Sequence, residues 1–198
     1  MKKILFANYL ALLFACDLPN VENPSAELIN GEVIMEDFDT NNLLNCNIVN
    51  DTVMGGRSQA TLRLINDTHA NFSGYLSLEN NGGFSSIRAY YPPNLANVKS
   101  IVLRVRGDGR KYNFRIRGNS NSWASYTHSF DTIEGEWIEK ELKIDDFYPV
   151  YRGYNLKDMP LLSDIVIKEI GIMISDKTEG SFSIKIDWNI IHYWNFVS

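Results

Sequence analysis

From about residue 31 onward, apolar and polar residues alternate in short runs separated by turn formers. Nowhere do apolar residues keep helical spacing over the roughly 10 to 12 positions that define a helix. Ile101, Leu103 and Val105 alternate with Val102, Arg104 and Arg106; Gly107-Asp108-Gly109-Arg110 follows; then Tyr112, Phe114 and Ile116 alternate with Asn113, Arg115 and Arg117. Period-two alternation on both sides of an Asp-Gly turn predicts a hairpin with one apolar face and one arginine face. Further strands are predicted at 61–65, 72–79, 85–91, 124–130, 137–143, 166–174 and 182–191, the last carrying the stripe Phe182, Ile184, Ile186, Trp188 and Ile190. So many short strands with glycine-rich turns predict an all-β fold, an antiparallel β-sandwich of jelly-roll type.

Upstream the pattern changes. Lys2 and Lys3 precede an apolar run from Ile4 to Ala15, interrupted at Asn8 and Tyr9. That combination predicts an export signal over residues 1–15, too short to span a bilayer. Leu13-Phe14-Ala15-Cys16 resembles the lipobox of bacterial lipoproteins, which implies that Cys16 carries lipid and begins the mature chain. A conventional signal peptide is the alternative, but Leu13 stands where its cleavage site prefers a small residue. Residues 16–30, rich in Asn and Pro after the cysteine, read as a tether, and the folded domain as 31–198. The expected location is the bacterial cell envelope, with membrane attachment through the N-terminal lipid.

Composition narrows the classes. Hydrophobic residues at 44% against 22% charged supply a globular core. A net charge of −5 gives no general attraction to nucleic acid, so a basic site has to be local. There are two cysteines, and if Cys16 is lipidated the fold has to stand without a disulfide. His69, His128 and His192 are scattered, no Cys/His spacing suggests zinc, and no loop has the dense oxygen-ligand spacing of a calcium site; no cofactor is expected.

VNDTVMGGRS, residues 49–58, is the densest cluster of candidate chemistry. It lacks the G-x-x-x-x-G-K-S/T spacing of a phosphate loop and the Gly-x-Ser-x-Gly of a nucleophile elbow. Gly55 and Gly56 suit a turn, and Asn50 and Asp51 can bond nearby backbone. Taken with Asp37-Phe38-Asp39, Phe72-x-Gly74, Glu79-Asn80-Asn81-Gly82-Gly83-Phe84, Arg106-Gly107-Asp108-Gly109-Arg110-x-Tyr112 and Gly171-x-Met173, these residues resemble the successive motifs of the complex I intermediate-associated protein 30 family. Cys46 stands where that family usually carries a tryptophan. The resemblance implies a galactose-binding-like β-jelly-roll. It also implies a non-enzymatic, chaperone-like binder of protein-complex assembly intermediates. Asn50, Asp51 and Met54 would border the binding surface, while Gly55, Gly56, Gly82, Gly83, Phe84, Gly107, Asp108 and Gly109 would be structural.

Two further candidates come from the residues themselves. Arg104, Arg106, Arg115 and Arg117, on one face of the predicted hairpin, offer guanidinium forks to an acidic peptide or sugar acid. Their other reading is a lattice of ion pairs with residues such as Glu139, Glu141 and Asp187. Trp123 and Tyr126, in GNSNSWASYTHS, either stack on a glycan or partner, or close the core. Sequence-adjacent acids such as Asp145-Asp146 point to opposite sides of a strand and do not converge on one bond, so no enzyme is expected. The function expected is protein-partner binding, with carbohydrate binding as the alternative.

Overall fold

The computed structural model describes residues 32–36, 46–65, 69–95, 98–118 and 123–193. The export signal, Cys16 and the tether lie outside the described residues. In chain order the strands are β1 Glu32–Glu36, β2 Cys46–Asn50, β3 Gln59–Ile65, β4 His69–Leu76, β5 Ser85–Leu95, β6 Val98–Arg106 and β7 Lys111–Arg117. They continue with β8 Ser125–Asp131, β9 Trp137–Lys143, β10 Tyr148–Tyr151, β11 Tyr154–Asn155, β12 Ile167–Ile174 and β13 Gly180–Tyr193. The regular helical pieces among the described residues are 3-10 turns, such as Asp51–Met54 and Glu79–Asn81.

Two antiparallel sheets face each other. One runs β3-β4-β13-β6-β9, with β1 also paired to the long β13; the other runs β11-β10-β8-β7-β12-β5-β2. The core lies between them. Ile101, Leu103 and Val105 of β6, with Phe72 of β4 and Ile184 of β13, meet Tyr112, Phe114 and Ile116 of β7 and Ile170, Ile172 and Ile174 of β12. Each such side chain contributes roughly 1.5 to 3 kcal/mol when fully buried, which is why the period-two register is held strictly.

The predicted sandwich is therefore present, and most predicted strands lie within a few residues of their expected positions. The hairpin over 101–117 is not. β6 pairs with β13 and β9, whereas β7 pairs with β12 and β8, so Gly107–Arg110 is a corner that carries the chain from one sheet to the other. The physical reason lies in two side chains. Asp108 accepts the backbone N–H of Ser183 at 2.7 Å and the hydroxyl of Tyr112 at 3.1 Å. Arg110 forms a two-point pair with Asp176 at 2.9 and 2.6 Å and donates to the carbonyls of Thr178, Gly180 and Ser181. The corner after β6 is thereby bolted to the corner between β12 and β13. The strands β1, β2, β10 and β11 were not among the predicted ones; they are short, and β10 and β11 carry too few apolar residues to alternate visibly.

Candidate functional site

The loop at 49–58 is a knot. Asp51 is 0% exposed, and its carboxylate accepts from the Ser58 hydroxyl at 2.5 Å and the backbone N–H of Ser58 at 2.8, Gly83 at 2.6 and Phe84 at 3.4 Å. Burial alone would raise its pKa, but the bonds from Ser58 and Gly83 outweigh that and hold it below the ordinary carboxylate value. The glycines make room for it. A Cβ at Gly56 would stand 2.4 Å from the Asp51 Cγ, and one at Gly82 2.5 Å from Oδ2; Gly55 takes φ +91° to end the turn. Asn50 accepts from the Ser85 hydroxyl at 2.5 Å. Asp51 is thus withdrawn from the partner-binding residues the sequence suggested, because every face of its carboxylate is used internally. Met54 remains exposed at the tip beside Val53.

The four arginines do not form one face. Arg104 and Arg106 lie on the outside of the six-stranded sheet; Arg115 and Arg117 lie on the outside of the seven-stranded sheet, across the core. Arg104 is paired with Asp187 and lies over the Trp137 ring, 4.8 Å from its centroid. Arg106 is exposed, in register with Trp137 and Lys185. The ion-pair reading holds for Arg104, and the shared arginine face fails because β6 and β7 belong to different sheets.

Around Arg115 the seven-stranded sheet assembles a different group. Strand register places Asn47, Arg88, Gly171, Arg115, Thr127 and Tyr148 in one row across β2, β5, β12, β7, β8 and β10. A neighbouring row brings Tyr90, Glu169 and Arg117 together. Gly171 sits between two arginines in that row, and its missing side chain lets the β5 backbone pass close by: a Cβ there would meet the Ile87 carbonyl at 2.3 Å. The result is a depression lined by Ser86, Arg88, Arg115, Arg117, Ser125 and Glu169 around Gly171.

Its charge is unbalanced. Arg117 and Glu169 are 3.8 Å apart. Arg115 donates to the Met173 sulfur at 3.1 Å and to the Ser125 hydroxyl; Arg88 donates through Nε to the Ser86 hydroxyl at 3.2 Å. Among the described residues, neither Arg88 nor Arg115 is ion-paired to a carboxylate. Burial first, then Arg88 and Arg117, pushes the Arg115 guanidinium down to about 10; burial and Arg117 lower Arg88 as well.

At the margin, Trp123 is 53% exposed and meets Tyr151 edge-on at 4.9 Å, with Arg152 over the Tyr151 ring and Tyr154 still more exposed. Tyr126, the companion suggested by sequence, belongs to the core: it is 1% exposed and donates to the Pro160 carbonyl at 2.6 Å. Arg88, Glu169 and Gly171 were not singled out as site residues. Ser86, Arg88 and Tyr90 alternate outward along β5, but only the strand order shows that they face Arg115.

The family model described as Complex I intermediate-associated protein 30 (CIA30) matches residues 36–186. Among curated proteins, the mitochondrial complex I intermediate-associated protein 30 of Mus musculus is 28% identical over 165 residues, covering 71% of this chain and 50% of that protein. A probable counterpart in Caenorhabditis briggsae is 24% identical over 153 residues, covering 72% and 44%. The chain thus spans about half the length of the curated relatives it matches. Among solved structures, a family 11 carbohydrate-binding module from Clostridium thermocellum, in complex with a beta-1,3-1,4-mixed-linked tetrasaccharide, superposes with a TM-score of 0.62 at 16% identity, covering 82% of this chain and 96% of that one. An agarase superposes with a TM-score of 0.57 at 11% identity, covering 85% of this chain and 25% of that one. At such identities the structural likeness concerns the fold.

Proposed function

This chain belongs to the complex I intermediate-associated protein 30 family, and on that premise we propose that it is a non-enzymatic binding module that grips a protein partner, assisting assembly or stability of a membrane complex. The observation that carries this reading is the outer face of the seven-stranded sheet. Half-buried Arg88 and Arg115 are not ion-paired to a carboxylate among the described residues, and the exposed Tyr148 and Tyr90 lie in their row and the neighbouring row of the same face. Arginine and aromatic side chains are the residue types that dominate binding energy where partners meet. The names of the curated relatives suggest an intermediate of a respiratory complex as the class of partner. With Cys16 as a lipid-bearing residue, the domain stands in the bacterial envelope and the partner is an envelope complex. Mass spectrometry of the mature N-terminus tests that placement, since an intact Met1 or an unmodified Cys16 start rules out the anchor.

A second reading, carbohydrate binding, is favoured by one feature, the exposed Trp123 beside Tyr151 and Tyr154. Affinity capture with the full-length chain separates the two. The partner reading expects one defined protein complex to be recovered and its yield to fall roughly tenfold or more with Arg115→Glu, as for loss of a buried charged contact. Recovery of no defined protein, together with glycan-array retention abolished by Trp123→Ala, would establish the carbohydrate reading instead.

A further inference from the structure

The depression around Gly171 has the features of a preformed receptor. A guanidinium carries five N–H donors. Arg88 spends one on Ser86, and Arg115 spends two, on Met173 and Ser125. The two serines are fixed as acceptors because their own hydroxyls donate elsewhere: Ser86 to the Val49 carbonyl at 3.1 Å, Ser125 to the Val150 carbonyl at 3.4 Å. Both arginine heads are therefore oriented by the sheet with donors left over; among the described residues neither is ion-paired, and the one acid acting on both, Glu169, is shared with Arg117. Gly171 lets β5 and β12 approach closely between them, and Arg88 and Arg115 line one depression from either side of it.

We infer that this depression is a receptor for a carboxylate, the side chain of an acidic residue presented by an extended segment of the protein partner. The inference rests on the reading of this face as a partner-binding surface and names the chemistry it selects. Guanidinium forks match a carboxylate with two parallel bonds, and such charge-assisted pairs are about twice as strong as neutral ones. The half-buried setting sharpens the effect, because an anion arriving there relieves the mutual repulsion of Arg88, Arg115 and Arg117 where water screens it poorly. Two features favour a carboxylate over a phosphate. Glu169 already stands at the rim against Arg117 and repels a dianion more than a monoanion. Met173, whose sulfur Arg115 reaches, supplies apolar surface for the methylene stem of a glutamate.

The test follows the side-chain Nε–H signals of the arginines by NMR in the labelled full-length chain. The probes are hexaglutamate, hexaglutamine, glucuronate and inorganic phosphate at matched ionic strength. Hexaglutamate is expected to give saturable shifts at Arg88, Arg115 and Arg117 that hexaglutamine does not. Arg88→Gln and Arg115→Gln should each weaken binding about tenfold, the loss of one charge-assisted contact, while Arg104→Gln leaves it unchanged. Absence of saturation, or an equal response to hexaglutamine, overturns the receptor. Saturation by glucuronate or phosphate at lower concentration overturns the peptide assignment in favour of a sugar acid or a phosphate group. The two levels separate cleanly: partner capture that survives both glutamine variants sinks the receptor and leaves the partner reading. Hexaglutamate binding by a chain that captures no protein does the reverse.

Discussion

Asp51 shows how one carboxylate can serve the fold completely. Its four donors come from two loops, 51–58 and 79–84, so the single charge joins them. Replacing it with asparagine keeps the volume but loses the charge and forces one amide hydrogen against a donor. A buried, charge-assisted network broken at one partner costs about 3 kcal/mol, and Asp51→Asn is expected to lower the urea midpoint accordingly. The pH dependence has a definite sign. The folded pKa lies below the ordinary 3.8, so the contribution is fully present above that value and is lost as pH falls through the folded pKa. The stability gap between wild type and Asp51→Asn should therefore be constant from neutral pH to about 5 and narrow only below 3.8. A gap that widens on acidification would contradict the assignment. The sequence made this stretch conspicuous without showing its role, because a buried acid and a surface acid are spelled alike. Tyr126 carries the same ambiguity in the other direction: a tyrosine among serines and asparagines looks exposed, yet its ring fills the core and only its hydroxyl reaches a polar partner.

At the level of elements, period-two alternation identified strands but not their neighbours. β6 and β7 read as a hairpin because Gly107-Asp108-Gly109 has the composition of a tight turn; pairing is decided by contacts far along the chain, at Asp176 and Ser183, which no local window contains. Those contacts can be weighed. Arg110 and Asp176 are 13% and 11% exposed and joined at two points, and Asp176 is held below the usual carboxylate value: burial alone would raise it, and Arg110 and the Thr178 N–H outweigh that. Arg117 and Glu169 are each 33% exposed and meet at 3.8 Å. Arg110→Gln is thus expected to cost about 2 to 3 kcal/mol in denaturant unfolding, and Arg117→Gln less than about 1 kcal/mol, because solvent screens the second pair. Equal costs would mean that the corner is not held by its arginine.

For the whole molecule, sandwich geometry decides which charges act together. Arg104 and Arg115 are eleven positions apart in a sequence whose alternation places them on one surface, yet the folded chain puts them on opposite outer faces. Stacked sheets are about 10 Å apart, and their outward side chains are farther apart still, whereas exposed charges are screened over about 8 Å at physiological salt. A partner docked on the seven-stranded sheet therefore does not register the loss of Arg104, whose charge is in any case engaged by Asp187. The net charge of −5 adds that an acidic partner is not drawn in from a distance; selectivity arises within the depression, after contact. Single substitutions test this division. Arg104→Gln is expected to leave partner capture within about twofold of wild type, while Arg115→Gln reduces it about tenfold, the cost of one charge-assisted contact at an interface. If the two variants fall together, the binding surface does not lie on the face that the strand order assigns to Arg115.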